Sequence, residues 1–235
     1  MSHYLIPEWP APDSVKAIST LRTGGVSLAP FASQNLGLHV GDVAESVQQN
    51  RNNLPCPEQP VWLNQVHGTD ILELNHQLIV NNTADGSYTR AKQRVCVVMT
   101  ADCLPVLLTD TAGSFVAALH CGWRGLAGGI LEKLIQTITP EGQVLAWLGP
   151  AIGPQAFEVG GEVREAFAPQ QDAFKPISDD KYLADIFAIA TMKLNACGVH
   201  QVYASGLCTY SDESRFFSYR RDGQTGRMAT LIWLQ

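Results

Sequence analysis

The chain has 235 residues, 46% hydrophobic and 16% charged, a composition that suits one globular domain with its own core. Its formal net charge is −6 and its pI about 5.4, with Lys and Arg scattered apart from the short pair Arg220–Arg221, which excludes an electrostatic footprint for nucleic acid or an anionic membrane. No apolar run reaches the length of a membrane span, and MSHYLIPEWPAP lacks the basic-then-apolar layout of a secretory signal. The expected setting is therefore cytoplasmic, with the cysteines at 56, 96, 103, 121, 197 and 208 reduced and none in a C-x-x-C pair.

In chain order, Asp42 and Glu45 form a D-x-x-E box that predicts a helix over VAESVQQNRNNL, stopped by Pro55. Short β-branched runs then predict strands at VWLNQV (61–66), DILEL (70–74), RVCVVMTA (94–101), PVLLTD (105–110) and SFVAALH (114–120). GLAGGILEKLIQTI (125–138) has apolar residues at helical spacing, with Pro140 just beyond, and QVLAWLG (143–149) reads as a strand. KYLADIFAIATMKLNAC (181–197) predicts a long helix ending at Gly198, the expected C′ position. VHQVYA (199–204), FFSYR (216–220) and MATLIWL (228–234) complete the strands, and DGQTG (222–226) predicts a hairpin between the last two. No repeat or linker divides residues 1–235, so one domain is expected, α+β or a mixed α/β sandwich. The C-terminal hairpin argues against a purely doubly wound sheet.

Three predicted strand ends carry metal-grade side chains: His67 in NQVHG, Cys103 in TADC and His120 in HCGWRG. Each stands near a residue that breaks regular structure, namely Gly68, Pro105 and Gly122. If those strands are neighbours, the three side chains converge at one sheet edge. Two imidazoles and a thiolate leave the fourth position of a tetrahedral zinc open. A lone His is more often a satisfied surface or core residue, so the set depends on that convergence. Cys121 competes with Cys103 as a ligand, but adjacent strand residues point to opposite faces, so His120 and Cys121 should not share a metal. Cys96 and Cys197 read as small buried hydrophobes.

The string TADCLPVLL…AALHCGWRGLAGG, with NQVHG upstream, resembles the laccase-domain family, also called YfiH-like proteins, peptidoglycan editing factors or polyphenol oxidases. LRTGGVS (21–27), FASQNLGLHVGD (31–42), NRNNL (50–54), LGPAIGP (148–154), CTY (208–210) and FFSYRRDGQTGRMA (216–229) extend the resemblance over nearly the whole chain. It implies a single-domain α/β sandwich of mixed β-sheets flanked by helices. It also implies a zinc site of His67, Cys103 and His120. The implied activity is phosphorolysis of purine nucleosides (adenosine, inosine, methylthioadenosine), with adenosine deamination as a second reaction. Purine nucleoside and phosphate are then the partners, and a monomer or weak homodimer the expected assembly.

The family's competing labels can be weighed against chemistry. Six histidines (3, 39, 67, 76, 120 and 200) with no H-x-H cannot build a multicopper cluster. A single blue-copper centre is chemically allowed, with Met99 four residues before Cys103 as the axial ligand, and a copper-dependent polyphenol oxidase remains an alternative. For phosphate, the GWRGLAGG loop (122–129) leads into a helix and carries Arg124, suited to bidentate anion binding. Neither a Walker P-loop nor a G-x-G-x-x-G is present, and the H-x-E…P-C-x-x-C deaminase signature is absent.

Arg22 is a second phosphate or ribose candidate, and Asn35 could bind a sugar hydroxyl. Asp102 could hold a ligand imidazole, shuttle a proton or simply make a strand-end hydrogen bond. Asp85 is a more distant proton-transfer candidate. The catalytic candidates are thus Asp102, Cys103 and Arg124, with Arg22, Asn35, Asp85 and Arg124 as substrate contacts. A peptidoglycan-precursor amide hydrolase using Cys103 and His120 as a thiol–imidazole pair is the competing enzyme. A non-enzymatic interaction protein finds no exposed repeat, charged tail or amphipathic patch in its favour.

Overall fold

The most apolar stretch of the sequence, 95–121, dictates where the core lies, because its three strands are buried along their whole length. The structure, a computed structural model, describes residues 4–75 and 80–235; His3 and His76 lie outside the described residues. In chain order come β1 (Tyr4–Leu5), β2 (Val15–Thr20), helix α1 (Ala44–Asn52), β3 (Ile71–Glu73) and β4 (Gly86–Thr89). The central run gives β5 (Val95–Thr100), β6 (Leu104–Asp110) and β7 (Val116–Cys121), followed by α2 (Trp123–Ala127) and α3 (Ile130–Thr137). Next are β8 (Val144–Leu148), β9 (Glu158–Gly160), α4 (Gly161–Glu165), β10 (Phe174–Ser178) and β11 (Lys181–Ala184). The chain closes with α5 (Ile186–Ala196), β12 (Gln201–Ala204), α6 (Tyr219–Asp222) and β13 (Met228–Leu234).

A six-stranded sheet runs β12-β8-β6-β7-β4-β3, a four-stranded sheet β1-β2-β13-β5, and a three-stranded sheet β10-β11-β9. The larger sheets are mixed and antiparallel respectively: β12 is parallel to β8 and β3 to β4, whereas β13 is antiparallel to both β2 and β5. One face of β6 and β7 (Leu104, Val106, Ala117, Leu119) packs under Leu126, Ile130, Leu134 and Ile189 from the helices. The opposite face (Leu107, Val116, Ala118) packs on Cys96, Val98 and Ile232 of the four-stranded sheet. Apolar side chains on both faces are what force these strands into the middle layer. The expected sandwich of mixed sheets flanked by helices is therefore the fold. Among the described residues no helix is long and apolar enough to cross a membrane.

Several local expectations give way to tertiary context. Residues 61–66 form no strand, only a bridge between Asn64 and Thr83, because the Gln65 side chain pairs with the Met99 backbone through both its amide atoms (2.8 and 2.7 Å). No hairpin joins 216–220 to 228–234: Ser218 caps α6, Gly223 ends it at φ 66°, and β13 pairs instead with β2 and β5. The 125–138 helix is broken at Gly129, whose φ of 90° cannot continue α2 into α3. The 181–197 segment starts as β11, and Asp185 then caps α5 by accepting the Phe187 and Ala188 N–H groups (3.0 Å each). Asp42 does not cap α1; Val43 holds that position, and Asp42 accepts from Val43 N–H and the Asn35 amide.

Candidate metal centre and its cleft

The step from β5 to β6 carries the chain from one sheet of the sandwich to the other within residues 101–103. That turn needs Asp102 at φ 96°, and it leaves Cys103 at the sandwich edge just before β6. β7 pairs with β6 in the register Pro105 to His120, so Cys103 and His120 end side by side at the same edge. His67 arrives from a loop, with φ 60°. The three ligand atoms lie within 4.8 Å of one another, and His67 Nε2 is 3.8 Å from Cys103 Sγ. A tetrahedral zinc needs N···S separations of about 3.5 Å, so the donor set fits with a small closure. His67 is exposed, Cys103 half-buried and His120 buried. Gly122 permits this packing, since a Cβ there would stand 3.0 Å from Cys103 Sγ and 3.1 Å from His67 Cδ2.

One buried carboxylate organises two of the three ligands. Asp85 Oδ1 accepts from His120 Nδ1 at 2.8 Å and from the His67 backbone N–H at 2.9 Å. Its Oδ2 accepts from the N–H groups of Gly68 (2.7 Å) and Val66 (3.2 Å). His120 N–H also donates to the Asp85 carbonyl at 2.7 Å. With Nδ1 committed to Asp85, the Nε2 of His120 is the nitrogen left for a metal. Burial alone would raise the Asp85 carboxyl, but hydrogen bonds from His120, Gly68 and Val66 outweigh it and hold it below the ordinary carboxylate range. Burial likewise opposes ionisation of Cys103, yet the charge and hydrogen bonding of His120 and then His67 pull the thiol well below its usual value. Despite its own burial, His120 is pushed up by Cys103 and Asp85.

The cluster faces a cleft of about 590 Å³, a size typical of small-molecule sites. Ile152, Phe157 and Ile186 give it an apolar wall; Trp123, Arg124, Tyr219, Arg220 and Arg227 surround the rest. The Arg124 guanidinium lies 4.4 Å over the Trp123 ring and makes no hydrogen bond among the described residues. It stands on α2, which begins inside the expected loop, at Trp123.

The remaining expected site residues are placed differently. Asp102 lines the cleft, but it holds no imidazole: its oxygens accept from Thr209 Oγ1 (2.6 Å) and Arg220 N–H (2.7 Å). Asp85 is not a cleft residue but the support of the ligands behind it. Arg22 does not line the cleft and donates to the Ala32 and Glu213 carbonyls, with its guanidinium over Phe217. Asn35 is buried, and its amide is engaged by Gly37, Asp42 and the Arg227 N–H. Cys121 points into the apolar core, opposite His120. His39, Gln65, Tyr219, Arg220 and Arg227 were not singled out by sequence, although HVGD, NQVHG and SYRRDGQTGR carry them.

A profile of the family described as "Multi-copper polyphenol oxidoreductase laccase" matches residues 16–235. The chain is 52% identical to "Purine nucleoside phosphorylase YfiH" of Escherichia coli (strain K12), with all of both chains covered. It is 48% identical, again over all of both chains, to "Purine nucleoside phosphorylase PA4543" of Pseudomonas aeruginosa. Among solved structures, protein NMB0706 of Neisseria meningitidis superposes with a TM-score of 0.93 at 46% identity, covering 100% of each chain. YfiH of Bacillus licheniformis superposes with a TM-score of 0.87 at 31% identity, covering 94% of this chain and 93% of that one. With a profile match across nearly its full length and relatives alike from end to end, the chain belongs to the multi-copper polyphenol oxidoreductase laccase family.

Proposed function

We propose that the chain is a zinc-dependent purine nucleoside phosphorylase, cleaving adenosine, inosine or methylthioadenosine with phosphate to free base and ribose-1-phosphate, with adenosine deamination as a second reaction. The observation that carries this reading is the His₂Cys cluster opening onto a cleft that offers both unpaired guanidinium donors and an apolar wall. The names of the full-length relatives support it. His67, Cys103 and His120 would hold the zinc, which would supply a Lewis acid beside the cleft. Arg124, with its guanidinium over the Trp123 ring, is suited to a bidentate grip on phosphate. Ile152, Phe157 and Ile186 suit the purine and exclude water from the glycosidic bond. A phosphate oxygen attacks C1′ of the ribose while the C–N bond breaks and its electron pair leaves with the base. Asp102 positions the Thr209–Arg220 wall, since both its oxygens already accept hydrogen bonds there.

Zinc is favoured over copper by Met99. Its sulfur accepts from Arg51 Nη2 at 3.7 Å, which engages the thioether that a blue-copper centre needs as axial ligand. A second reading, an amide hydrolase acting on peptidoglycan precursors, draws on the ionised character of Cys103 beside His120. Parallel incubations with adenosine plus phosphate and with a UDP-muropeptide separate the two. Ribose-1-phosphate with free adenine supports the phosphorylase; amino acid released from a UDP-muropeptide, with no ribose-1-phosphate, supports the hydrolase. The cytoplasm, where both nucleoside and phosphate are available, is the proposed setting, with the chain a monomer or weak homodimer.

A further inference from the structure

Arg227 stands one residue before β13 and lines the same cleft as Cys103 and His120. Its Nη1 donates to the Thr225 and Gly226 carbonyls at 3.0 Å each. Nε and Nη2 have no acceptor, and the guanidinium forms no ion pair, among the described residues. Burial lowers its pKa, while the nearby charges of Cys103, Asp102 and Tyr219 raise it. A half-buried cation that lines a cleft with two donors unmatched and no paired carboxylate is costly unless an anion completes it.

The guanidinium is also built into place. Asn35 Oδ1 accepts the Arg227 N–H and the Gly37 N–H, both at 2.9 Å, and Leu36 N–H donates to the Arg227 carbonyl at 3.1 Å. A Cβ at Gly37 would come within 2.8 Å of Arg227 Cγ and 3.3 Å of its Cβ, so the arginine stem lies directly on that glycine. His39, on the same turn, is held below the ordinary histidine range by burial, then by Arg227 and Arg51. It therefore adds no competing charge at neutral pH.

We propose that Arg227 grips the phosphate that reacts beside the metal centre, with Asn35 and Gly37 as its positioning residues and the exposed Arg124 as the second guanidinium. The inference rests on the phosphorylase reading and assigns its anion site. Bidentate charge-assisted contact makes phosphate affinity the quantity to measure.

The test is a titration of the zinc-loaded protein with inorganic phosphate, followed by calorimetry with and without hypoxanthine. Arg227→Gln should weaken phosphate binding about ten- to a hundredfold while its hypoxanthine affinity stays near that of the wild type. Gly37→Ala, whose backbone φ of −95° any residue tolerates, should weaken phosphate binding by displacing the arginine stem. The Gly37→Ala effect should largely vanish in the Arg227→Gln background, as coupled residues require. Melting curves without phosphate check that each variant is folded. Phosphate binding by the wild type that Arg227→Gln leaves unchanged would overturn the proposal and spare the phosphorylase reading. A wild type that neither binds phosphate nor forms ribose-1-phosphate would overturn both.

Discussion

Replacing Asp85 by Asn keeps the shape of the side chain and removes one acceptor. If the Asn oxygen faces His120 and His67, its amide is set against the N–H groups of Gly68 and Val66, now 2.7 and 3.2 Å from Oδ2. If it is turned round, the amide faces the His67 N–H and the imidazole instead. Either way a buried donor loses its partner, at about 1–3 kcal/mol for each unsatisfied group. The left-handed His67 backbone also loses the clamp that makes its conformation favourable. Metal-free Asp85→Asn should therefore be less stable by about 3 kcal/mol, a fall in melting temperature of roughly 6–12 °C for a domain of this size. Zinc affinity should drop about 10–100-fold, the usual effect of removing a carboxylate that orients a ligand imidazole. Melting of the metal-free protein and zinc competition against a chromophoric chelator read these separately. A variant with unchanged melting temperature and unchanged zinc affinity would refute the claim that Asp85 organises the site.

Gly122→Ala should weaken zinc binding without unfolding the protein, because its Cβ meets Cys103 Sγ at 3.0 Å and His67 Cδ2 at 3.1 Å while the backbone φ of −64° suits alanine; chelator competition is the readout. Arg124→Ala should raise KM for phosphate in phosphorolysis and leave deamination, which needs no phosphate, largely intact; equal loss of both would make Arg124 structural or a nucleoside contact. The Cys103 thiol is depressed in the fold, so its thiolate stabilises the metal-free protein at high pH and that contribution is lost as pH falls through the folded value. Iodoacetamide should accordingly label metal-free Cys103 rapidly at neutral pH and zinc-loaded Cys103 slowly. A half-maximal labelling pH at the ordinary thiol value of about 8.5 would contradict the thiolate assignment.

The His67–Cys103–His120 cluster was legible because each member closes an apolar strand run or a loop beside a breaker, and the β6–β7 register then aligns two of them. The support behind the cluster was not legible. Asp85 precedes β4 and meets His120 through pairing with β7, a contact across 35 positions that no local pattern encodes. The same limit explains 216–222, where strand-like residues become a capped helix because Asp102 takes the Arg220 N–H from 118 positions away. Residues 181–184 look helical by their stripe, yet pairing with β9 and β10 turns them into a strand before Asp185 starts the helix. Arg227 carries no local signal for a related reason: the Asn35 loop that positions it lies 192 positions away.

Reconstitution tests whether zinc at His67, Cys103 and His120 is required for phosphorolysis. Metal-free protein is titrated with zinc, and bound metal and phosphate-dependent ribose-1-phosphate formation are measured in the same samples, for wild type and His67→Ala. Activity should rise in proportion to zinc up to about one ion per chain, with His67→Ala binding weakly and remaining inactive at the same zinc concentrations. Full activity in metal-free protein, or protein purified without added metal that carries stoichiometric copper with a strong blue absorption, would contradict it.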